Sequence, residues 1–165
     1  MSAVNDFETK LLQLLFNNTA LANIGDAAGL VATSTAGSTQ LSLHTVALGE
    51  TDTLLTANEV AYTGYARPTQ ARSSAGWTIS GNNCSNAALI QFGEMSAGGP
   101  DTVVHLGVGL IATGDVLRIE ADLNADLVIN NGVNPQFAIG NLDINLDTNW
   151  LTVLLSILLV IALVQ

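Results

Sequence analysis

"TVVHLGVGLIA", Thr102 to Ala112, decides the fold. Valine and other apolar residues dominate it, and Gly107 and Gly109 interrupt it. β-branched residues suit a pleated, buried surface, whereas glycine weakens a helix. The run is therefore the strongest predicted strand in the chain. Downstream, "DVLRIEADL" alternates Val116, Leu117 and Ile119 with Arg118 and Glu120. "DLVINNGVNPQFAIG" holds a strand, an Asn-Asn-Gly turn and another strand, and "NLDINLD" alternates Leu142, Ile144 and Leu146 with acids and an amide. A period of two is the mark of a half-buried strand.

Upstream, "AGGPD" is a turn, "SNAALIQFG" and "GWTISG" are short strands, and "TQLSLHTVAL" alternates again. "EVAYTGYARP", Glu59 to Pro68, reads as a strand with Val60, Tyr62 and Gly64 on one face. Pro68 lacks an N–H and belongs at a strand end or edge. Seven or eight short strands at about ten-residue spacing predict a mainly β domain, a β-sandwich or jelly roll, over residues 39–147.

Two segments differ in kind. Residues 6–22 predict a helix, with Phe7, Leu11, Leu14, Leu15 and Phe16 at steps of three and four and Asn5 or Asp6 as its cap. Leu12 and Leu21 widen its apolar stripe, which implies packing on a sheet or on a neighbouring subunit. This helix and its following loop make a first unit, residues 1–30. Residues 148–165 form a third, a C-terminal apolar helix interrupted only by Thr152 and Ser156 between Trp150 and Val164. Fifteen helical residues reach about 22 Å, short of a bilayer core of about 30 Å. No Lys or Arg flanks them. Leu154, Leu155, Leu158 and Ile161 are the expected contacts of a shared oligomer core, with Trp150 at its edge. A membrane anchor is the alternative.

Composition excludes some functions. The net charge is −10, and the four cations, Lys10, Arg67, Arg72 and Arg118, form no patch. Nucleic-acid binding needs cations to displace phosphate counterions, so it is not expected. Charged residues make up 11% of the chain, against roughly 25% in ordinary soluble domains. A surface of Ser, Thr, Asn and Gly, or burial against other copies, follows. The opening "MSAVNDFETK" has no basic lead into an apolar run, so synthesis in a cytoplasm is expected.

No motif supports catalysis, a metal or a cofactor. His44 and His105 lie in predicted strands without the short spacings of a zinc site. Glu50, Asp52, Glu59, Asp115, Glu120, Asp122 and Asp126 read as solvated charges. "DLNAD", Asp122 to Asp126, lacks the glycine and distal glutamate of a calcium loop. Cys84 has no base in its sequence neighbourhood, and Ser73 and Ser74 lack a nucleophile elbow. Tyr62 and Tyr65 are expected to cap a core, with Arg67 bonding a carbonyl or carboxylate across the strand. A competing role is a glycan or receptor surface on Tyr62, Tyr65 and Trp77.

Several blocks together resemble a family of small tailed-bacteriophage virion proteins, of the tail-fibre-like or head-decoration-like kind. They are "NDFETKLLQLLFNNTA" (residues 5–20), "SLHTVALGE" (42–50), "NEVAYTGYARP" (58–68), "RSSAGWTISGNNCSNAALIQF" (72–92), "VVHLGVG" (103–109) and "NNGVNPQFAIGNLDINLD" (130–147). Ala47-Leu48 stands where the pattern has an Asp-Pro turn, and the segment after Asp147 lies outside the pattern. The resemblance implies a non-enzymatic virion component, on the capsid surface or in the tail. It implies assembly with itself, as a trimer, and with major capsid or tail proteins, and it supplies no catalytic residue.

Overall fold

The structure, a computed structural model, describes residues 3–49, 51–111 and 114–146. The expectations for residues 148–165, including Trp150, Leu154, Leu155, Leu158 and Ile161, lie outside the described residues. Within them the fold is mainly β. One helix, α1 (Asn5–Asn17), precedes β1 (Ser38–His44), β2 (Thr69–Ala71), β3 (Trp77–Ser80), β4 (Asn83–Asn86), β5 (Ile90–Gln91), β6 (Asp101–Gly109), β7 (Ile119–Ile129), β8 (Gln136–Phe137) and β9 (Asp143–Asn145). All pairings are antiparallel: a four-stranded sheet β2-β1-β6-β7, a three-stranded sheet β3-β4-β9 and the pair β5-β8.

The decisive run is β6, at the centre of the larger sheet between β1 and β7. Its period of two sorts the side chains. Leu41 pairs with Val108 and Leu43 with Leu106, facing the main core. Ser42 pairs with Gly107 and His44 with His105, on the opposite face. The main core joins all three sheets and the helix through Leu12, Phe16, Leu41, Leu43, Trp77, Cys84, Ile90, Val103 and Ile144.

The helix is shorter than expected. Asn18 takes a left-handed conformation (φ 51°) and ends it, so residues 18–22 are not helical. Val4, rather than Asn5 or Asp6, holds the N-cap position, without a side-chain bond. The last turn carries no basic residue. Arg72 supplies the missing charge from the end of β2: its guanidinium donates to Leu14 O at 2.8 Å, Leu15 O at 2.7 Å and Ala36 O at 3.0 Å. Free carbonyls at a helix C-terminus attract a cation, and this one ties the helix to the sheet.

Three strand expectations need correction. "EVAYTGYARP" is not a strand: its ladder contacts are single bridges, His44 to Glu59 and Thr63 to Ala97. "SNAALIQFG" breaks into β4 and β5 just after Asn86, which ends β4 opposite Trp77. Its buried amide donates to Ala88 O at 2.8 Å and Ala138 O at 2.9 Å and accepts from Leu142 N at 3.0 Å, so a side chain replaces strand pairing. "DVLRIEADL" and "DLVI" merge into the single long β7, which starts only at Ile119. Leu123 to Asp126 bulge out of it opposite Val104, between the pairs Val103–Leu127 and His105–Asp122.

Candidate functional site

The unusual chemistry collects on the second face of the β1-β6-β7 sheet. Residues 45–49, 51–58 and 114–118 cover that face as a flap. Thr45 N donates to Asn58 O (3.0 Å), Leu55 N to Asp115 O (2.7 Å) and Leu117 N to Thr53 O (2.9 Å). Leu48, Leu55 and Leu117 form a small apolar cluster of their own. Beneath it lie Ser42, His44, His105 and Gly107, all buried.

His44 Nδ1 lies 2.7 Å from Ala57 O, a pure acceptor, so this nitrogen carries the proton. Nε2 then accepts the Ser42 hydroxyl at 2.7 Å. Burial lowers the His44 pKa, outweighing the bond to Ala57 and the charge of Glu59. The pair has the spacing of a nucleophile and its base. It lacks access: both residues are 0% exposed. Clefts of about 380, 490 and 120 Å³ open on the surface, and neither residue lines any of them. The dyad is a structural element that pins the flap. The sequence signal for it is the Ser-x-His spacing, which puts both side chains on one strand face.

His105 is the neighbour of His44 across the sheet. Its Nδ1 meets Asp122 Oδ1 at 2.8 Å and its Nε2 meets Glu120. Glu120 stands opposite Gly107 and Asp122 opposite His105 in the β6–β7 register, and the space left by the missing Gly107 side chain is taken by Ser42, His44 and Leu117. Both acids bond to the buried ring; Asp122 stays 81% exposed, a solvated charge as expected, and Glu120 is partly covered. Among the described residues, no three His, Cys, Asp or Glu side chains are placed to hold a metal ion.

The segment 59–68 clamps the flap to the core. Arg67 is bidentate on Glu59, with Nε to Oε1 at 2.6 Å and NH2 to Oε2 at 2.5 Å, and its NH1 reaches Asp115 Oδ1 at 2.8 Å. The bond to Glu59 raises the arginine's pKa further. Tyr65 donates to Glu59 Oε1 at 2.7 Å and accepts from Leu43 N at 3.1 Å, and burial raises its pKa. Tyr62 donates to Gly93 O at 2.8 Å and meets Tyr65 edge-on at 5.3 Å. Tyr65 in turn stacks on Phe92 at 6.2 Å. Gly64 has φ +99°, and a Cβ on Gly93 would lie 1.8 Å from Gly64 O. The two backbones touch only because both residues are glycine.

Tyr62, Tyr65 and Arg67 thus meet at one place, and Arg67 holds a carboxylate as expected. Trp77 sits elsewhere. It is 0% exposed on β3 and packs on Phe16 at 4.8 Å. With Tyr62 at 4% exposure, the expected sugar-stacking surface on these rings does not form. Cys84 is sealed in β4, and burial pushes its thiol up to about 12. A thiol held neutral in this way is a poor nucleophile.

Networks of this kind hold a shape rather than present a reacting atom. They define a β-rich structural module. The model of the family described as "Podophage GP4 fiber I protein gp80" matches residues 2–145. The chain belongs to that family, which makes it a structural component of a phage virion. No curated protein matches the chain.

Proposed function

We propose that the chain is a non-enzymatic fibre subunit rather than a capsid-decoration protein, and that it assembles as a homo-oligomer with other tail proteins as its neighbours. The observation carrying this reading is the fibre-family match over residues 2–145. The clamped flap, the ring stack and the Arg72 tie are consistent with a module built for rigidity. Low charge density supports self-assembly, because few ions need desolvating where copies meet. The apolar run from Trp150 to Val164 is the proposed shared core of the oligomer, through Leu154, Leu155, Leu158 and Ile161.

Immunogold microscopy of intact particles tests the placement. Antibody against this chain should decorate fibres. Label spread over the head would replace the fibre reading with capsid decoration. Partition of the full chain into detergent micelles, with no discrete oligomer in water, would instead make residues 150–164 a membrane anchor.

A further inference from the structure

The two larger sheets share the main core, and β7 and β9 are the end strands on one side of it. Clefts of about 380 and 120 Å³ lie between these two strands. Leu106, Ala121 and Leu142 line both. The first also reaches Leu43, and the second reaches Val108 and Ile144, all members of the main core. The core therefore opens to the surface along this line.

β9 has an unused edge beside that opening. Asn86 N donates to Leu142 O at 3.2 Å, and Leu146 N donates to Asn82 O at 2.9 Å, so these residues bond toward β4. Alternate residues of an antiparallel strand point their backbone groups opposite ways. The N–H and C=O groups of Asp143 and Asn145 thus point away from β4, and they have no backbone partner among the described residues. An unpaired edge next to apolar side chains is a template for one more strand.

We propose that residues 151–154 of the same chain pair with β9 on this edge and close the clefts. Connectivity selects the occupant. The described chain leaves β9 at Leu146, so the segment is tethered where it binds. A tether this short gives an effective concentration on the order of millimolar, which a free partner does not have. Asp147-Thr148-Asn149-Trp150 has the length of a hairpin loop, and Asp and Asn are turn residues. That loop sets Leu151 opposite Leu146, Thr152 opposite Asn145 and Val153 opposite Ile144. Opposite residues share a face, so Leu151 and Val153 turn into the clefts and Thr152 turns to water beside Asn145. A loop shorter by one residue would reverse every one of these faces. Leu154 falls opposite Asp143, on the outer face. The shared core proposed above keeps Leu154, Leu155, Leu158 and Ile161, and the added strand does not depend on it.

Amide hydrogen exchange on the full chain tests the pairing. The Asp143 and Asn145 amides should exchange about tenfold or more slowly than unpaired ones. Thr152→Pro removes a donor from the added strand and should return both to the unpaired rate, while slow amides in β6 certify the fold. Fast exchange at Asp143 and Asn145 in wild type overturns the proposal. So does protection that survives Thr152→Pro, because another element would then hold the edge. A short thiol crosslinker identifies whose strand it is. Ala121→Cys with Val153→Cys should join within one chain, at the monomer mass of 17.1 kDa. Ala75→Cys with Val153→Cys should not join, since Ala75 lies in the turn before β3, away from both clefts. A product of twice the monomer mass would assign the strand to a neighbouring copy and overturn the tethered occupant. Light scattering reads assembly separately: a monomer with protected Asp143 and Asn145 would sink the shared core and uphold the added strand.

Discussion

The two faces of the β1-β6-β7 sheet are built from alternate residues of the same strands and held in opposite ways. One face presents Leu41, Leu43, Leu106 and Val108 to the main core. Its stability follows the hydrocarbon area removed from water and tolerates some exchange of shape. The other presents Ser42, His44, His105 and Gly107 under a flap. Each polar atom there depends on a named partner, and losing one partner strands the other. The comparison separates a face that fills space from a face that fixes geometry.

The largest effect is expected on the apolar side. Trp77→Ala empties the core against Phe16 and should lower unfolding stability by about 3–5 kcal/mol, read from urea midpoints. Trp77→Phe sharpens the test. The buried Trp77 Nε1 has no hydrogen-bond partner among the described residues, so exchanging the indole for a ring without that N–H should cost less than about 1.5 kcal/mol. Equal losses in the two variants would mean that the main core, which the apolar face shares with β3, also depends on polar geometry.

Arg67→Ala comes next. It leaves the Glu59 carboxylate, 13% exposed, with Tyr65 as its remaining side-chain donor, and frees the flap at Asp115. A loss of about 2–3 kcal/mol is expected. Arg67→Lys should recover only part of it, since an ammonium cannot span both carboxylate oxygens. Full recovery by lysine would show that charge, not the fork, holds the clamp.

Gly107→Ala follows. Its new methyl would lie 2.7 Å from both His44 Nε2 and Ser42 Oγ and 3.1 Å from Leu117. Crowding there should cost about 1–3 kcal/mol and raise amide exchange in residues 51–58 more than in β1. Uniform exchange across both would deny the flap its separate role.

The apolar face was legible in the sequence and the polar face largely was not. Alternation named β1 and β9, because burial on one side imposes a period of two, and a valine-rich run named β6. The same alternation misled at "EVAYTGYARP". There Val60 and Tyr62 are buried as a strand would bury them, but the segment bonds through side chains and isolated backbone bridges rather than a continuous ladder. Arg67 on a carboxylate was foreseeable from a cation among so few. Its partners, eight and 48 residues away at Glu59 and Asp115, depend on the tertiary path of the flap. Glu120 and Asp122 read as surface acids because nothing local marks His105 as the residue across from them. Arg72 carries no sequence sign of its carbonyls, which come from a helix 57 and 58 residues earlier.

The smallest effect is a slope with pH, and it isolates His44. Burial lowers its pKa in the folded chain below the unfolded value of 6.5. Between the folded value and 6.5, the unfolded chain therefore holds more protons than the native one. Stability rises with pH across that window, is complete above it, and falls as acidification proceeds below 6.5. The structure gives the reason: Nδ1–H is committed to Ala57 O, and the other nitrogen must stay unprotonated to accept from Ser42. Urea midpoints measured at about pH 5 and about pH 7, on either side of the ordinary histidine value, should differ more in wild type than in His44→Gln. The rest of the sequence is common to both proteins, so the difference between the two slopes is assigned to His44. Parallel slopes would mean that protonated His44 is accommodated under the flap, with Ser42 turning to accept. The polar face would then be adjustable rather than fixed, and the contrast with the apolar face would narrow to one of composition.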